Sequence, residues 1–155
     1  HQLELHLQPV DLGEKAERAA ELLEPLLEEK RLHFVKNMAP SLPVRQLDPD
    51  RVNQILYNLI TNAIRYTHPG TAILLQTEPV GKRVRLTIAD EGPGIAPEDL
   101  DHIFEQFYRG DKSRNRASGG SGIGLSLAKS FVEAQGGTIT ARNRKEGGAE
   151  FVVEL

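Results

Sequence analysis

The chain has 155 residues, 39% of them hydrophobic and 26% charged, a composition that fits one globular domain and excludes collagen and wholesale disorder. A net charge of −3, from 19 basic and 22 acidic side chains, argues against a general electrostatic grip on nucleic acid. The lack of cysteine excludes disulfides, thiolate metal sites and cysteine nucleophiles, and no apolar run approaches the roughly 18 residues of a membrane span.

The alternation of Leu3, Leu5 and Leu7 predicts a short strand closed by Pro9. Asp11 is placed to cap a helix whose apolar face is Leu12, Ala16, Ala19, Leu23 and Leu26, with Pro25 expected to kink it or end it early. Brief strands are expected near Leu32–Val35 and Val44–Leu47. Asp48 then caps a second helix with Pro49 at its first position. Its stripe of Val52, Ile55, Leu56, Leu59, Ala63 and Ile64 runs to the stop at His68, Pro69 and Gly70. Two strands, Ala72–Glu78 and Arg83–Asp90, are expected across a short Pro79–Gly81 connection.

From Glu91 to Gly124 the periodicity stops and glycines accumulate, so this stretch reads as a long functional or disordered loop. A third helix is marked by Ile123, Leu125, Leu127, Ala128, Phe131, Val132 and Ala134 before Gly136 and Gly137. Strands Thr138–Asn143 and Ala149–Leu155 close the chain around the Glu146–Gly148 turn. The tally is an α/β layered domain, a mixed and mostly antiparallel sheet covered by helices.

Three motifs carry candidate chemistry. On the second helix, Asn58, Asn62 and Arg65 share a strip bordering the apolar face. They form either a solvated face or a set of amide oxygens for a hard cation such as Mg²⁺, with Arg65 meeting its oxyanions. At the end of a half-buried strand, Asp90–Ile95 (DEGPGI) is either a plain turn or a ligand floor. In the second case the glycines permit close approach, and the acceptor-only Asp90 suits an exocyclic amine such as that of adenine. Gly119–Leu125 (GGSGIGL) leads into a helix and offers backbone N–H groups to phosphate, or is simply a flexible loop. It matches neither the dinucleotide fingerprint nor the P-loop. Arg109, Lys112, Arg114 and Arg116 lie between the last two motifs, while Phe104 and Phe107 read as core anchors.

In this order and spacing, Asn58–Thr67 (NLITNAIRYT), Asp90–Ile95, Ile103–Arg109 (IFEQFYR) and Gly119–Leu125 closely resemble the N, G1, F and G2 boxes of sensor histidine kinases. The resemblance spans essentially the whole chain. It implies the Bergerat fold shared with gyrase and MutL: a two-layer α/β sandwich with about three helices on one face and a flexible ATP lid at 109–121. By position it implies Asn62 as the Mg²⁺ ligand with Asn58 beside the metal, and Arg65, in place of the usual Lys, at the phosphates. Tyr66, Asp90, Gly92, Gly94 and Ile95 would form the nucleotide pocket. Tyr108 and Arg109 would open the lid, and Gly120, Gly122, Gly124 and Leu125 would form its hinge.

Hydrolysing relatives in this superfamily carry Glu where Asn58 stands. An amide cannot take a proton from water at neutral pH, so transfer to another nucleophile is expected, with Asn58 and Arg109 catalytic. The cofactors implied are ATP and Mg²⁺. The implied partners are a phosphoacceptor helical hairpin and, downstream, a response regulator, with no nucleic acid and no direct membrane contact. None of His1, His6, His33, His68 or His102 is followed by an acidic residue, as a phosphoacceptor histidine would be. Together with a first residue that is not Met, this predicts an excised catalytic domain, monomeric and cytoplasmic, whose parent is either a membrane receptor or a soluble sensor. The rival expectations are a mechanical Bergerat ATPase and a nucleotide-sensing module without turnover.

Overall fold

The computed structural model describes residues 4–106 and 124–155. Among the described residues, three helices, α1 (Leu12–Glu29), α2 (Pro49–Tyr66) and α3 (Gly124–Ala134), pack on a five-stranded sheet. Its strands are β2 (His33–Met38), β4 (Ala72–Val80), β5 (Arg83–Ala89), β6 (Thr138–Asn143) and β7 (Ala149–Glu154), in the order β2-β4-β5-β7-β6. Only β2 and β4 are parallel; the other pairings are antiparallel. A separate two-stranded ribbon joins β1 (Gln8–Val10) to β3 (Arg45–Leu47).

One sheet face supplies Ile73, Leu75, Val84, Leu86, Ile88, Ile139, Phe151 and Val153 to a core shared with all three helices. The opposite face is mixed, with Val35, Leu74 and Val152 among polar side chains and Arg85 set between Glu78 and Glu154 on neighbouring strands. The expected two-layer sandwich is therefore present. All six expected apolar positions of α2 are buried, because a long 3.6-period stripe needs only one neighbour to cover it.

Several local expectations need correction. The first strand lies at Gln8–Val10, after the leucine alternation, and Pro9 sits inside it. In a two-stranded ribbon the missing N–H of proline is tolerated, and of these three residues only Val10 is buried. Helix α1 runs through Pro25 to Glu29. Pro25 and Glu21 are both exposed, so the carbonyl that loses its partner faces water. The buried face of α1 adds Ala20 and uses Leu27 rather than Leu26, while Ala19 packs partly buried against the core; helical periodicity alone leaves this choice open. Strand β4 extends through Pro79 to Val80 because β2 ends opposite Thr77, leaving that edge of β4 open. Gly81, with φ +62°, then turns the chain. Leu127, expected on the apolar face of α3, is substantially exposed.

Asp48 ties three parts of the fold together. Its side chain accepts from Asp50 N, Arg51 N and His6 N, while its own N–H donates to Gln135 Oε1 at 2.7 Å. Burial pushes this carboxyl upward, but the three backbone donors and the Arg51 charge outweigh it and hold it below the ordinary carboxylate value. Its contribution to stability is thus present above the unfolded-state pKa and lost as pH falls through the lower folded value. Asp48→Ala is expected to cost about 1–2 kcal/mol at neutral pH. In acid titrations followed by circular dichroism, Asp48→Asn is expected to flatten the loss of stability below about pH 4.

Candidate functional site

Strand β5 delivers Asp90 to the edge of the core. Asp90 is 1% exposed, its N–H donates to Ala149 O at 2.9 Å, and its Oδ1 accepts from Ala149 N at 3.1 Å and Gly92 N at 2.9 Å. A buried carboxylate is tolerated only when hydrogen-bonded, and these two backbone donors fix its orientation.

The turn that follows fits only because of its glycines. A Cβ on Gly92 would collide with the carbonyl of Tyr66, coming within 2.9 Å of its carbon. Gly92 is thereby pressed against the last turn of α2. Gly94 has φ +81°, a conformation that side chains disfavour. The peptide joining Asp90 to Glu91 is held at both ends: Arg144 Nη1 donates to Asp90 O at 3.0 Å, and Glu91 N donates to Thr67 Oγ1 at 3.1 Å. Glu91 Oε2 also accepts from Ala72 N at 2.9 Å. Ile95 itself points into the apolar core.

Helix α2 connects this turn to the start of α3. Its C-terminal end carries Tyr66, buried, and Thr67, while Asn58 in its middle donates from Nδ2 to Gly124 O at 3.2 Å. Asn62 lies one turn from each of Asn58 and Tyr66. It is 7% exposed, and its Nδ2 is buried without a hydrogen-bond partner among the described residues. An orphaned amide costs about 1–3 kcal/mol, an outlay that a ligand supplying the missing partner removes. Arg65 is exposed beside it. Gly124 opens α3, and Leu125 packs partly buried against the core. Phe104 meets Phe151 edge-on at 6.1 Å, as a core anchor should.

The fold thus brings Asn58, Asn62, Arg65, Tyr66, Asp90, Gly92 and Gly94 to one edge of the sandwich with Gly124. Tyr108, Arg109, Gly120 and Gly122 lie outside the described residues, as do Phe107, Lys112, Arg114, Arg116 and Ile123. Sequence reading misses Thr67, Asn143, Arg144 and Gly148, all of which touch the Asp90–Ile95 loop. The Gly147–Gly148 pair signals a turn, but nothing local says what that turn packs against.

The profile of the histidine kinase-, DNA gyrase B- and HSP90-like ATPases matches residues 47–155. The chain belongs to this family. It is 45% identical over 108 residues to the signal transduction histidine-protein kinase BaeS of Escherichia coli, a match covering 70% of this chain and 23% of that protein. The first curated relatives are all much longer, the chain spanning 10% to 34% of their length. Full-length ShkA, solved in complex with AMPPNP, superposes with a TM-score of 0.86 at 33% identity, covering all of this chain and 32% of that one. The catalytic domain of the histidine kinase ThkA, solved nucleotide-free, gives a TM-score of 0.86 at 26% identity over 97% of this chain and 95% of that one. ThkA in complex with the response regulator TrrA gives 0.80 at 25% identity, over 96% and 41%.

Proposed function

We propose that this family member is the catalytic domain of a sensor histidine kinase. In this reading it binds Mg-ATP and presents the γ-phosphoryl group to a histidine on a separate helical hairpin. The observation that carries the reading is the buried Asp90 carboxylate, oriented by Gly92 N and Ala149 N over a floor that admits no side chain at residue 92. Asp90 accepts from the exocyclic amine of adenine, and a guanine carbonyl in its place would set acceptor against acceptor.

The side chains of α2 suit a metal–phosphate pair: the Asn62 carboxamide oxygen is a hard ligand for a cation, its buried, unpartnered Nδ2 is a donor that a phosphate oxygen would satisfy, and Asn58 stands one turn earlier, its Nδ2 donating to Gly124 O. A Mg²⁺ ion held at Asn62 would supply charge neutralisation for the phosphates during transfer. Arg65 adds a fixed positive charge on the exposed side. Tyr108, Arg109, Gly120 and Gly122 complete this reading as the lid, with Gly124 and Leu125 at its hinge. Asn58, unlike a carboxylate, does not deprotonate water, which favours transfer over hydrolysis. The hairpin and a response regulator are the proposed partners of a monomeric, cytoplasmic domain. No helix among the described residues is long and apolar enough to cross a membrane.

Asn62→Ala is expected to weaken Mg-ATP binding at least about tenfold while leaving Mg-free ATP binding nearly unchanged, as read by calorimetry with and without EDTA. The activity itself is tested by incubating the chain with γ-labelled ATP and a histidine-bearing hairpin from a related kinase. Acid-labile label on the hairpin supports the kinase. Steady phosphate release without labelled hairpin supports a mechanical ATPase, and binding with neither supports a nucleotide sensor.

A further inference from the structure

The turn between β6 and β7 braces both ends of the Asp90–Ile95 loop. Asn143 grips Ile95 through both of its backbone polar groups, Oδ1 accepting from Ile95 N at 2.7 Å and Nδ2 donating to Ile95 O at 2.8 Å. Arg144, with a side chain only 17% exposed, donates to Asp90 O, and its Nη2 lies 3.6 Å from Glu146 within the same turn. The turn is itself closed, Arg144 N donating to Gly148 O at 2.9 Å and Gly147 N to Arg144 O at 3.1 Å. It is therefore a rigid brace at the loop's first and last residues.

We propose that Arg144 and Asn143 are positioning residues that set the base selectivity of the pocket. They hold the loop so that the Asp90 carboxylate meets an amino-purine and opposes a 6-oxo-purine. The inference rests on the reading of Asp90 as the base receptor. Discrimination between an amine and a carbonyl depends on donor–acceptor matching at hydrogen-bond range, and a displacement near 1 Å is enough to blunt it. The two bonds to Asp90 Oδ1 orient the side chain, but the peptide after it is pinned by Arg144 on its carbonyl and Thr67 on its N–H. Removing the Arg144 donor frees one end of that peptide. Removing the Asn143 amide frees the far end of the loop, where Gly94 already adopts φ +81°.

The test is calorimetric titration of the chain with Mg-ATP and Mg-ITP, the latter carrying a carbonyl where adenine has its amine. The unsubstituted chain is expected to favour ATP at least about tenfold, and Arg144→Met and Asn143→Ala each to shrink that ratio about fivefold, mainly through weaker ATP binding. Arg144→Lys, which keeps a donor, is expected to restore most of the ratio. Circular dichroism confirms that each variant is folded; should Arg144→Met not fold, Asn143→Ala and Arg144→Lys decide. Equal affinity for ATP and ITP in the unsubstituted chain overturns the Asp90 reading and the inference with it. A preference for ATP that survives in the variants, or affinities for both nucleotides that fall in parallel, overturns the positioning role alone.

Discussion

Asp90→Asn is expected to weaken Mg-ATP binding about 10- to 100-fold with little change in melting temperature. The separation of the two effects follows from how the carboxylate is held. Oδ1 accepts from Gly92 N and Ala149 N, and an amide oxygen in the same place still accepts both bonds, more weakly without the charge but with a smaller cost of burial. The substitution then puts an NH₂ group on the other side of the carboxamide, where it meets the adenine amine as donor against donor. Loss of a hydrogen bond to a charged acceptor costs about 1.5–3 kcal/mol, which sets the expected fold-change. Binding of ITP, already unfavourable against a carboxylate, is expected to improve in the same variant. Parallel titrations with ATP and ITP read both effects. Unchanged ATP affinity in a folded variant would remove Asp90 from the base pocket.

Gly148→Ala is expected to give the largest loss of stability of any single methyl addition at the site. Gly148 has φ +87°, and a Cβ there would run into the Asp90 carbonyl oxygen, 2.7 Å from its carbon and 2.9 Å from Glu91 Cα. All three neighbours are backbone, so no side chain can swing aside. The left-handed conformation costs about 1–2 kcal/mol for an L-residue, and forced overpacking adds about 1–3 kcal/mol. For a domain of this size that corresponds to a fall in melting temperature of roughly 5–15 °C. Gly147→Ala is the internal control. At φ +107° it carries the same kind of backbone strain, but a Cβ there meets nothing within 4 Å. Its loss is expected to be only about 1–2 kcal/mol. Equal melting temperatures for the two variants would show that the β6–β7 turn does not press on Asp90. Nucleotide binding is expected to weaken in Gly148→Ala well beyond any change in Gly147→Ala, because only the former displaces the Asp90–Glu91 peptide.

What the sequence made legible was local chemistry. Asp11 and Asp48 sit directly before helical stripes, and both caps form as read, each side chain accepting from two N–H groups of the first turn. The α2 stripe and the alternation of Val84, Leu86 and Ile88 depend only on period and burial, and they too appear where expected. The glycines of the Asp90 turn read in the sequence as room for a flat ligand; that Gly92 presses on the Tyr66 backbone and Gly94 on Asn143 was not legible there.

The remainder depended on which elements meet. Leu26 and Leu27 satisfy helical periodicity almost equally, and contact with the rest of the core selects Leu27, while both Ala19 and Ala20 pack against it. Pro25 is tolerated because its turn of α1 faces water, a property of the packed domain rather than of the residue. Asn143 and Arg144 reach residues 48 and 54 positions earlier in the chain. In sequence they look like the polar end of a strand, and only the pairing of β6 with β7 and of β7 with β5 carries them beneath the loop.

A crystal structure of the chain with Mg²⁺ and AMPPNP tests the central claim most directly. The expected result is an adenine ring whose amine lies within hydrogen-bond distance of the Asp90 carboxylate, with the Asn62 carboxamide turned toward the metal and triphosphate. A base bound elsewhere, with Asp90 still engaged only by Gly92, Ala149 and its neighbours in the fold, would contradict it.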